Sequence, residues 1–330
     1  MQCRICSNSD HNVEYHVREM QFGLRDVFGY FQCSGCGCLQ IKEFPPDMSR
    51  YYPRDYYSYQ APSYPSHGMV RKITCFYFKH LLRHGFPFLW PIDEVMPARF
   101  PVFKALSRVK INTQTRILDV GCGGGEVLWL LKEFGYDHVL GVDPYLDSDV
   151  TYTNGLTVKK CEMSQITGKW DVIMFNHSFE HVHNPQETLE QVFHHLEELG
   201  VCIIRIPVAD SYAWKRYKEN WADLDAPRHF FLHTRSSMDC LAKKTGFHVR
   251  QVKCDSVGFQ FHGSEAYKKN IPLQESNHYY SKAILLFRRL FFSAWALWLN
   301  RIRRGDCAVF YLGKKNNALA EMNKYRKSKP

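Results

Sequence analysis

The stretch LDVGCGGG, at residues 118–125, sets four glycines directly behind a short apolar segment. The segment RILDV (116–120) predicts a buried strand, and GEVLWLLKEFG (125–135) has its apolar residues at the spacing of a helix. Glycine lets a ligand approach the backbone closely and accepts the positive φ values that a tight turn requires. In a doubly wound sheet, ligands bind beyond the carboxyl ends of the strands. The stretch therefore predicts a ligand-binding turn at the tip of a strand.

Strand-like and helix-like segments alternate along the chain after residue 115. Strands are predicted at HVLGVD (138–143), around Val158, and at WDVIMFN (170–176), VCIIRIP (201–207), HVRQVKC (248–254) and DCAVFYLG (306–313). Helices are predicted at PQETLEQVFHHLEELG (185–200) and RSSMDCLAKKTGF (235–247). This alternation predicts an α/β fold with a parallel sheet and helices on both of its faces.

The glycine turn does not fit the common nucleotide-binding patterns. A dinucleotide fingerprint would need a third glycine where Glu126 stands, and no phosphate-cradling loop that ends in GK[ST] is present. The pattern is instead D-x-G-x-G-x-G, formed by Asp119, Gly121, Gly123 and Gly125. A second acid, Asp143, ends the next predicted strand 22 residues after Gly121. Together these features resemble the S-adenosylmethionine-binding motif of class I methyltransferases.

The resemblance covers residues 115–255 and the last strand at 306–313. It implies a Rossmann-like, seven-stranded class I methyltransferase sheet with a helical insertion before the last strand. It also implies these cofactor contacts: Asp119 and the 121–125 turn at the methionine end, Asp143 at the ribose, Glu162 and Met163 at the adenine, and Phe175 and Asn176 beneath the cofactor. For Glu162 and Met163, an ordinary loop at the strand end is the alternative.

The stretch FNHSFEHVHNP (175–185) resembles the EHV-x-x-P segment of a large methyltransferase group that acts on small molecules, quinones and sugars. Methyl transfer requires an aligned acceptor, and an acceptor hydroxyl must lose a proton, which imidazole can accept near neutral pH. We expect His181 to be this base. Glu180 orients it or is the second candidate, and His177 is the third. The alternative is that Glu180 and His181 cap the following helix or fix the loop.

A second segment, APRHFFLH (226–233), also resembles the family pattern, in which a histidine reaches the pocket. His229 is therefore a candidate on the substrate side, and a structural role is its alternative. Some carbon-methylating sugar enzymes of the group carry a tyrosine near the Glu-His pair, where this chain has Phe179, which favours an oxygen acceptor. The expected acceptor is a small-molecule or lipid-linked sugar in bacterial polysaccharide or glycoconjugate biosynthesis.

Two CxxC pairs lie near the start of the chain, separated by 26 residues, and consist of Cys3, Cys6, Cys33 and Cys36. This spacing is typical of a structural zinc site with four thiolate ligands. The start MQCRICSNSD does not resemble a secretion signal, so reduced thiols are expected rather than disulfides. Alternating segments between the pairs predict a small zinc ribbon. Cys38 is a spare ligand, and His11 and His16 are weaker alternatives.

The excess positive charge is concentrated at the end of the chain. Residues 1–281 carry 31 basic and 31 acidic residues, whereas 282–330 carry 12 and 2. The segment KAILLFRRLFFSAWALWLNRIRRG (282–305) predicts a helix with a narrow polar stripe and an otherwise apolar surface. Because Arg288 and Arg289 interrupt the apolar run, a spanning helix is not expected. The helix (282–304) is expected to contact an anionic membrane surface, with a lid helix or a homodimer interface as alternatives.

We predict five segments: a zinc-ribbon module (1–50), a linker and helical lead-in (51–114), a cofactor-binding core (115–255), a helical insertion (256–305), and the last strand with a basic, frayed end (306–330). The chain is expected to be a cytoplasmic S-adenosylmethionine-dependent methyltransferase, peripheral at the inner membrane face if the 282–304 helix binds there. One alternative is a ribosomal or transfer RNA methyltransferase, but the equal numbers of basic and acidic residues over 1–281 argue against nucleic acid as a partner. The other is a non-catalytic scaffold with a methyltransferase fold.

Overall fold

A computed structural model of the chain describes residues 1–53, 57–60, 62, 69–84, 100–279 and 282–315. Parts of the predicted linker and helical lead-in, and most of the predicted frayed end, lie outside these residues. Within the described ranges the strands form two sheets, one of four strands and one of eight.

The strands are, in chain order, β1 (Val13–Arg18), β2 (Val27–Gln32), β3 (Leu39–Ile41), β4 (Ile117–Val120), β5 (Val139–Val142), β6 (Val150–Thr151), β7 (Thr157–Lys159), β8 (Trp170–Asn176), β9 (Leu196–Pro207), β10 (Phe231–Leu232), β11 (Phe247–Cys254) and β12 (Cys307–Lys314). The α-helices are α1 (Met69–His84), α2 (Phe100–Ser107), α3 (Glu126–Glu133), α4 (Pro185–His195), α5 (Tyr212–Tyr217), α6 (Arg235–Lys244), α7 (Phe259–Lys268), α8 (Leu273–Tyr279) and α9 (Lys282–Arg301).

The larger sheet has the strand order β11-β12-β9-β8-β4-β5-β7-β6 across the described residues. Neighbours from β9 to β7 pair in parallel, and the two-residue strand β6 pairs antiparallel at the edge. Without β6, the sheet contains the seven predicted strands, and α7, α8 and α9 form the predicted insertion before the last one. The predicted α/β fold class is therefore confirmed. Strand order reverses at β4, so its carboxyl end is where a doubly wound sheet binds ligands.

The helix predicted over residues 185–200 is shorter than expected. It ends at His195, and β9 begins at the next residue and pairs with Trp170 of β8. The Glu197 carboxylate accepts a hydrogen bond from the Arg116 guanidinium at 2.8 Å. These long-range contacts extend the strand over residues whose local sequence favours a helix.

The smaller sheet joins the cysteine-bearing segment to a distant part of the chain. β1 and β2 form an antiparallel hairpin, and β3 pairs antiparallel with β2. The fourth strand, β10, pairs with β3 through Phe231 opposite Gln40 and Leu232 opposite Leu39. The N-terminal segment therefore does not complete its own sheet.

The chain forms two compact units, each assembled from separate stretches. Unit 1 comprises Met1–Arg54, Phe179–Glu187 and Ile206–Phe310, and unit 2 comprises Asp55–Ser178, Thr188–Arg205 and Tyr311–Pro330. Unit 1 contains the smaller sheet and the helical insertion. Unit 2 contains the glycine turn and the strands on either side of it. Among the described residues, none of the helices has the length and apolar character that crossing a bilayer requires.

Candidate active site

The glycine turn of unit 2 connects β4 to α3 in a backbone conformation that glycine adopts readily. Gly121, Gly123 and Gly125 have φ angles of +72°, +55° and +76°. A Cβ atom at Gly121 would lie 2.5 Å from Cβ of Ser178, and one at Gly125 would lie 2.5 Å from Cγ2 of Val158. Both the backbone angles and the close neighbours therefore require glycine.

Asp143, directly after β5, is buried and ties its strand to the glycine turn. Its Oδ2 accepts a hydrogen bond from the N–H of Gly123 at 2.9 Å, and its Oδ1 accepts one from the N–H of Tyr145 at 2.9 Å. A carboxylate has about four lone-pair sites and can accept more than two hydrogen bonds, so a ligand hydroxyl could also donate to Asp143.

Asp119 supplies a buried acid beneath the same turn. It is 3% exposed, and its Oδ1 has no hydrogen-bond partner within the described residues. Burial, and then the charge of Asp143, raise the pKa of Asp119 well above its usual value. A nearby cation would relieve both effects, whereas an anion would worsen them. The two acids therefore fit the cationic sulfonium and ammonium groups of S-adenosylmethionine better than the pyrophosphate of a dinucleotide.

A short piece of the predicted linker lies against the glycine turn. The N–H of Gly124 donates to the backbone oxygen of Ser58 at 2.7 Å. A Cβ atom at Gly123 would lie 2.2 Å from that oxygen, and one at Gly124 would lie 2.5 Å from the backbone oxygen of Gln60. The sequence did not predict this contact, because a Tyr- and Pro-rich composition does not indicate which residue of the segment contacts which other residue. The middle glycines of the turn therefore also make room for another backbone.

The other predicted cofactor residues lie at the carboxyl ends of β7 and β8, also in unit 2. Glu162 directly precedes the 3₁₀ turn Met163–Gln165. Its backbone N–H donates a hydrogen bond of 2.9 Å to Oε1 of Gln165. Phe175 is buried in β8, and Asn176 ends the strand, where its Oδ1 accepts a hydrogen bond from Arg205 at 3.4 Å. The adenine contacts of Glu162 and Met163 stay a prediction.

Glu180, His181 and His229 come together in unit 1. One polar atom from each lies within 4.8 Å of the others. Oε1 of Glu180 lies 3.8 Å from Nε2 of His229, and the two imidazole rings meet edge to face with centroids 4.8 Å apart. Glu180 is fully buried, and His229 is 8% exposed. Three of the four predicted catalytic residues therefore form one cluster.

The hydrogen bonds of the two imidazoles define their neutral tautomers. Nδ1 of His181 lies 2.8 Å from the backbone oxygen of Arg228, and Nδ1 of His229 lies 2.7 Å from that of Asp223. Because a carbonyl only accepts, Nδ1 carries a proton in each ring, and the lone pair of neutral His181 is on Nε2. Burial, and then the charge of His229, lower the pKa of His181. His181 is therefore neutral near pH 7, in the form that accepts a proton.

Three residues around the cluster were not predicted from the sequence as parts of the site. The Tyr52 hydroxyl lies 3.3 Å from Nδ1 of His181. The buried Arg228 guanidinium forms an ion pair with Asp225, whose carboxylate lies 3.8 Å from Nε2 of His229. Burial favours a higher pKa for Asp225, but the charge and hydrogen bond of Arg228, together with the two imidazoles, outweigh it, so the net shift of the pKa is downward. The charged residues of the stretch DAPRH (225–229) were the available signal for this ion pair.

His177, the third candidate base, belongs to unit 2 and is not a member of the cluster. Its φ is +56°, an uncommon angle for a residue other than glycine. Its N–H donates to the backbone oxygen of Arg205 at 2.9 Å, and the Oγ of the next residue, Ser178, donates to that of Val120 at 2.5 Å. These bonds attach the turn after β8 to the neighbouring strands.

The four predicted cysteine ligands form a second cluster in unit 1. The Sγ atoms of Cys3 and Cys36 are 3.6 Å apart, those of Cys6 and Cys33 are 3.5 Å apart, and all four lie within 4.8 Å of one another. A zinc ion with Zn–S bonds of about 2.3 Å has sulfurs roughly 3.8 Å apart in a tetrahedron, so the cluster fits zinc. The side chain of Gln40 donates to Cys3 at 3.0 Å, which favours the thiolate form. Cys38 lies outside this group.

The cysteine cluster is connected to the segment that carries His229. The Thr234 hydroxyl donates to the backbone oxygen of Cys36 at 2.6 Å, and the buried Tyr30 hydroxyl donates to that of His229 at 2.9 Å. Between these bonds, β10 pairs with β3. The cysteine-bearing module therefore helps to position the histidine backbone.

The glycine turn, the flanking acids and the sheet order together define a class I, S-adenosylmethionine-dependent methyltransferase fold. The chain belongs to the methyltransferase-domain family, which it matches over residues 79–252, more than half of its length. No curated protein matches the sequence.

The matches to solved structures include the following two. The cyclopropane synthase MmaA2 from Mycobacterium tuberculosis is 18% identical over 61% of this chain and 78% of that chain, with a TM-score of 0.38. Magnesium protoporphyrin IX methyltransferase from Synechocystis PCC 6803, with bound S-adenosylmethionine, is 14% identical over 59% of this chain and 94% of that chain, with a TM-score of 0.36.

Proposed function

We propose that this protein transfers a methyl group from S-adenosylmethionine to a hydroxyl of a sugar in bacterial polysaccharide or glycoconjugate biosynthesis. The observation that carries the proposal is the Glu180–His181–His229 cluster, in which Nδ1 of each imidazole is bonded to a carbonyl, so that the lone pair of neutral His181 is on Nε2. Such a cluster is suited to removing a proton from an alcohol.

The cofactor supplies an electrophilic methyl group on a positively charged sulfur. In this chain, the 121–125 turn and Asp119 would hold its methionine end. Asp143 would accept hydrogen bonds from the ribose hydroxyls of the cofactor, and the 3₁₀ turn at Met163 would contact its adenine. The buried acids favour a cationic ligand at this place. This assignment rests on the resemblance of the D-x-G-x-G-x-G turn and Asp143 to the family motif, and the raised pKa of Asp119 and the hydrogen bond between Asp143 and Gly123 support it.

The acceptor proton would pass to Nε2 of His181. His181 follows Asn176, the last residue of β8, by five positions along the chain. As the ring becomes charged, the carboxylates of Glu180 and Asp225 would stabilise it, and Nδ1–H keeps its bond to the backbone oxygen of Arg228. Nε2 of His229 would bind the acceptor beside His181 and fix the direction of its hydroxyl, which is an orientation effect.

Oxygen is favoured over carbon as the acceptor atom by the residue beside the Glu-His pair. Phe179 is fully buried and packs on the ring of His233, with centroids 5.6 Å apart. It has no hydroxyl to assist deprotonation at carbon. The sugar itself is inferred from the resemblance of the FNHSFEHVHNP stretch to sugar-modifying methyltransferases.

Replacing Asp143 with alanine is expected to weaken S-adenosylmethionine binding by about 100-fold or more, since hydrogen bonds to a charged group contribute about 1.5–3 kcal/mol each and two ribose hydroxyls lose their acceptor. Calorimetric titration of the purified variant measures the effect. Asp147→Ala removes an exposed acid from the same loop and should leave the affinity unchanged. An Asp143→Ala protein that folds and binds the cofactor normally would refute the ribose role.

The acceptor class is tested with methyl-labelled cofactor and the full-length protein. Nucleotide-linked sugars, lipid-linked oligosaccharides, ribosomal RNA and transfer RNA are offered separately. We expect label in a sugar as an O-methyl ether that resists mild alkali. Label in RNA would establish the alternative enzyme, and saturable cofactor binding without transfer to any acceptor would establish the scaffold alternative.

A further inference from the structure

Helix α9 carries an exposed apolar face on unit 1. Six of its large apolar side chains are between 37% and 70% exposed, namely Leu286, Phe287, Leu290, Phe291, Trp295 and Trp298. The aromatic members form a ladder, in which Phe287 stacks on Phe291, Phe291 stacks on Trp295, and Trp295 meets Trp298 with centroids 5.3 Å apart. Soluble monomers rarely expose so continuous an apolar surface unless a partner covers it.

The opposite side of α9 already anchors the helix to its unit. Ala296 and Leu299 are fully buried, and Phe292 packs against Phe261 of α7 with centroids 5.2 Å apart. Asn300 both donates to and accepts from the backbone of Ser256. Trp295 of the ladder also meets Tyr212 with centroids 6.2 Å apart, whereas Phe291 and Trp298 are half-exposed. Substitutions at Phe291 and Trp298 should therefore leave the fold intact.

The charged residues of the segment that forms α9 are all basic. The segment 282–304 contains six basic residues and no acidic residue. Arg289, Arg301 and Arg303 are exposed. A second copy of the chain would bring two basic surfaces together, and a nucleic acid would leave the aromatic ladder in contact with water. An anionic lipid surface offers negative headgroups and an apolar layer within a few ångströms of each other.

We propose that α9 binds the surface of an anionic bilayer, lying in the plane of the interface with its aromatic ladder inserted at the boundary between headgroups and acyl chains. Phenylalanine and tryptophan bury large apolar areas at such boundaries. The arginines at the C-terminal end of the helix contact the headgroups. This proposal does not depend on the identity of the methyl acceptor.

The experiment is flotation of the full-length protein with vesicles of phosphatidylcholine alone and of phosphatidylcholine mixed with phosphatidylglycerol. We expect binding to the mixed vesicles, little binding to the neutral ones, and a decline as salt is added. The double variant Phe291→Ser/Trp298→Ser should bind the mixed vesicles at least about tenfold more weakly, since two inserted aromatic side chains are lost. Phe76→Ser, which changes another exposed phenylalanine, should bind normally.

A second variant tests the electrostatic part separately. Arg301→Gln/Arg303→Gln should weaken binding to the mixed vesicles by about fivefold per arginine, which corresponds to about 1 kcal/mol for each basic residue at an anionic surface. Arg83→Gln, an exposed arginine on α1, is the matched control. Circular dichroism and thermal unfolding show that each variant is folded.

Three outcomes would overturn the proposal. The first is equal binding of the wild type and the aromatic variant to the mixed vesicles. The second is a dimer that the aromatic variant abolishes, in a protein that does not float with vesicles. The third is binding of RNA through α9 without any vesicle binding.

Discussion

The substitution His181→Asn is expected to lower kcat by about two to four orders of magnitude, the usual contribution of a general base. Asparagine can place its amide nitrogen where Nδ1 stands, and so keep the bond to the backbone oxygen of Arg228. It has nothing at the position of Nε2. The variant therefore removes the lone pair and preserves the local contact, and its affinity for S-adenosylmethionine should stay close to that of the wild type.

The pH profile gives this prediction a second readout. Because burial and the charge of His229 lower the pKa of His181, the neutral form persists below the ordinary histidine value of about 6.5. The wild-type kcat should therefore decline only in more acidic solution, as His181 becomes protonated, and this decline should vanish in the variant. His194→Asn, on the exposed side of α4, is the control. A variant with wild-type kcat, or with the same acidic decline, would show that another group takes the proton.

The substitution Cys36→Ser is expected to abolish stoichiometric zinc and to destabilise unit 1. Structural zinc contributes roughly 10–16 kcal/mol of apparent binding free energy in small zinc domains, and a serine hydroxyl does not replace the missing thiolate. Because Tyr30 holds the backbone of His229 and β3 pairs with β10, the loss should also lower turnover. Metal analysis, thermal unfolding and kcat measure the three effects.

The neighbouring cysteine provides the matched comparison. Cys38 is fully buried in the same module but does not belong to the four-sulfur cluster. Cys38→Ala should therefore keep about one zinc per chain and lose only a modest packing contribution of about 1 kcal/mol. Wild-type protein that holds no zinc, or a Cys36→Ser variant that retains it, would contradict the zinc assignment.

The sequence predicted those parts of the molecule that depend on short-range patterns. The D-x-G-x-G-x-G motif located the turn, because positive φ angles and close neighbours at Gly121 and Gly125 leave glycine as the residue that fits. The apolar runs located the strands of the large sheet. The two CxxC pairs located four sulfurs that the fold brings within 4.8 Å of one another. In each case the cause lies within a few residues of the signal.

The features that were missed depend on contacts between distant residues. The backbone of Ser58 meets the glycine turn, and Tyr52 meets His181, although neither lies in a recognisable motif. The helix α4 is cut short because pairing in the sheet outweighs local helical preference. The ion pair of Arg228 with Asp225 was indicated only by two charged residues three positions apart. Such contacts arise from packing, which a single sequence does not encode locally.

The pairing of β3 with β10 has a consequence for how the chain is made. Translation at about 5–20 residues per second delivers Phe231 roughly 10–40 seconds after Ile41. During that interval β3 is an edge strand of the nascent N-terminal sheet with no strand beside it, and an open edge invites pairing with other chains. A metal ion bound early by the four thiolates would stabilise β1, β2 and β3 until β10 leaves the ribosome.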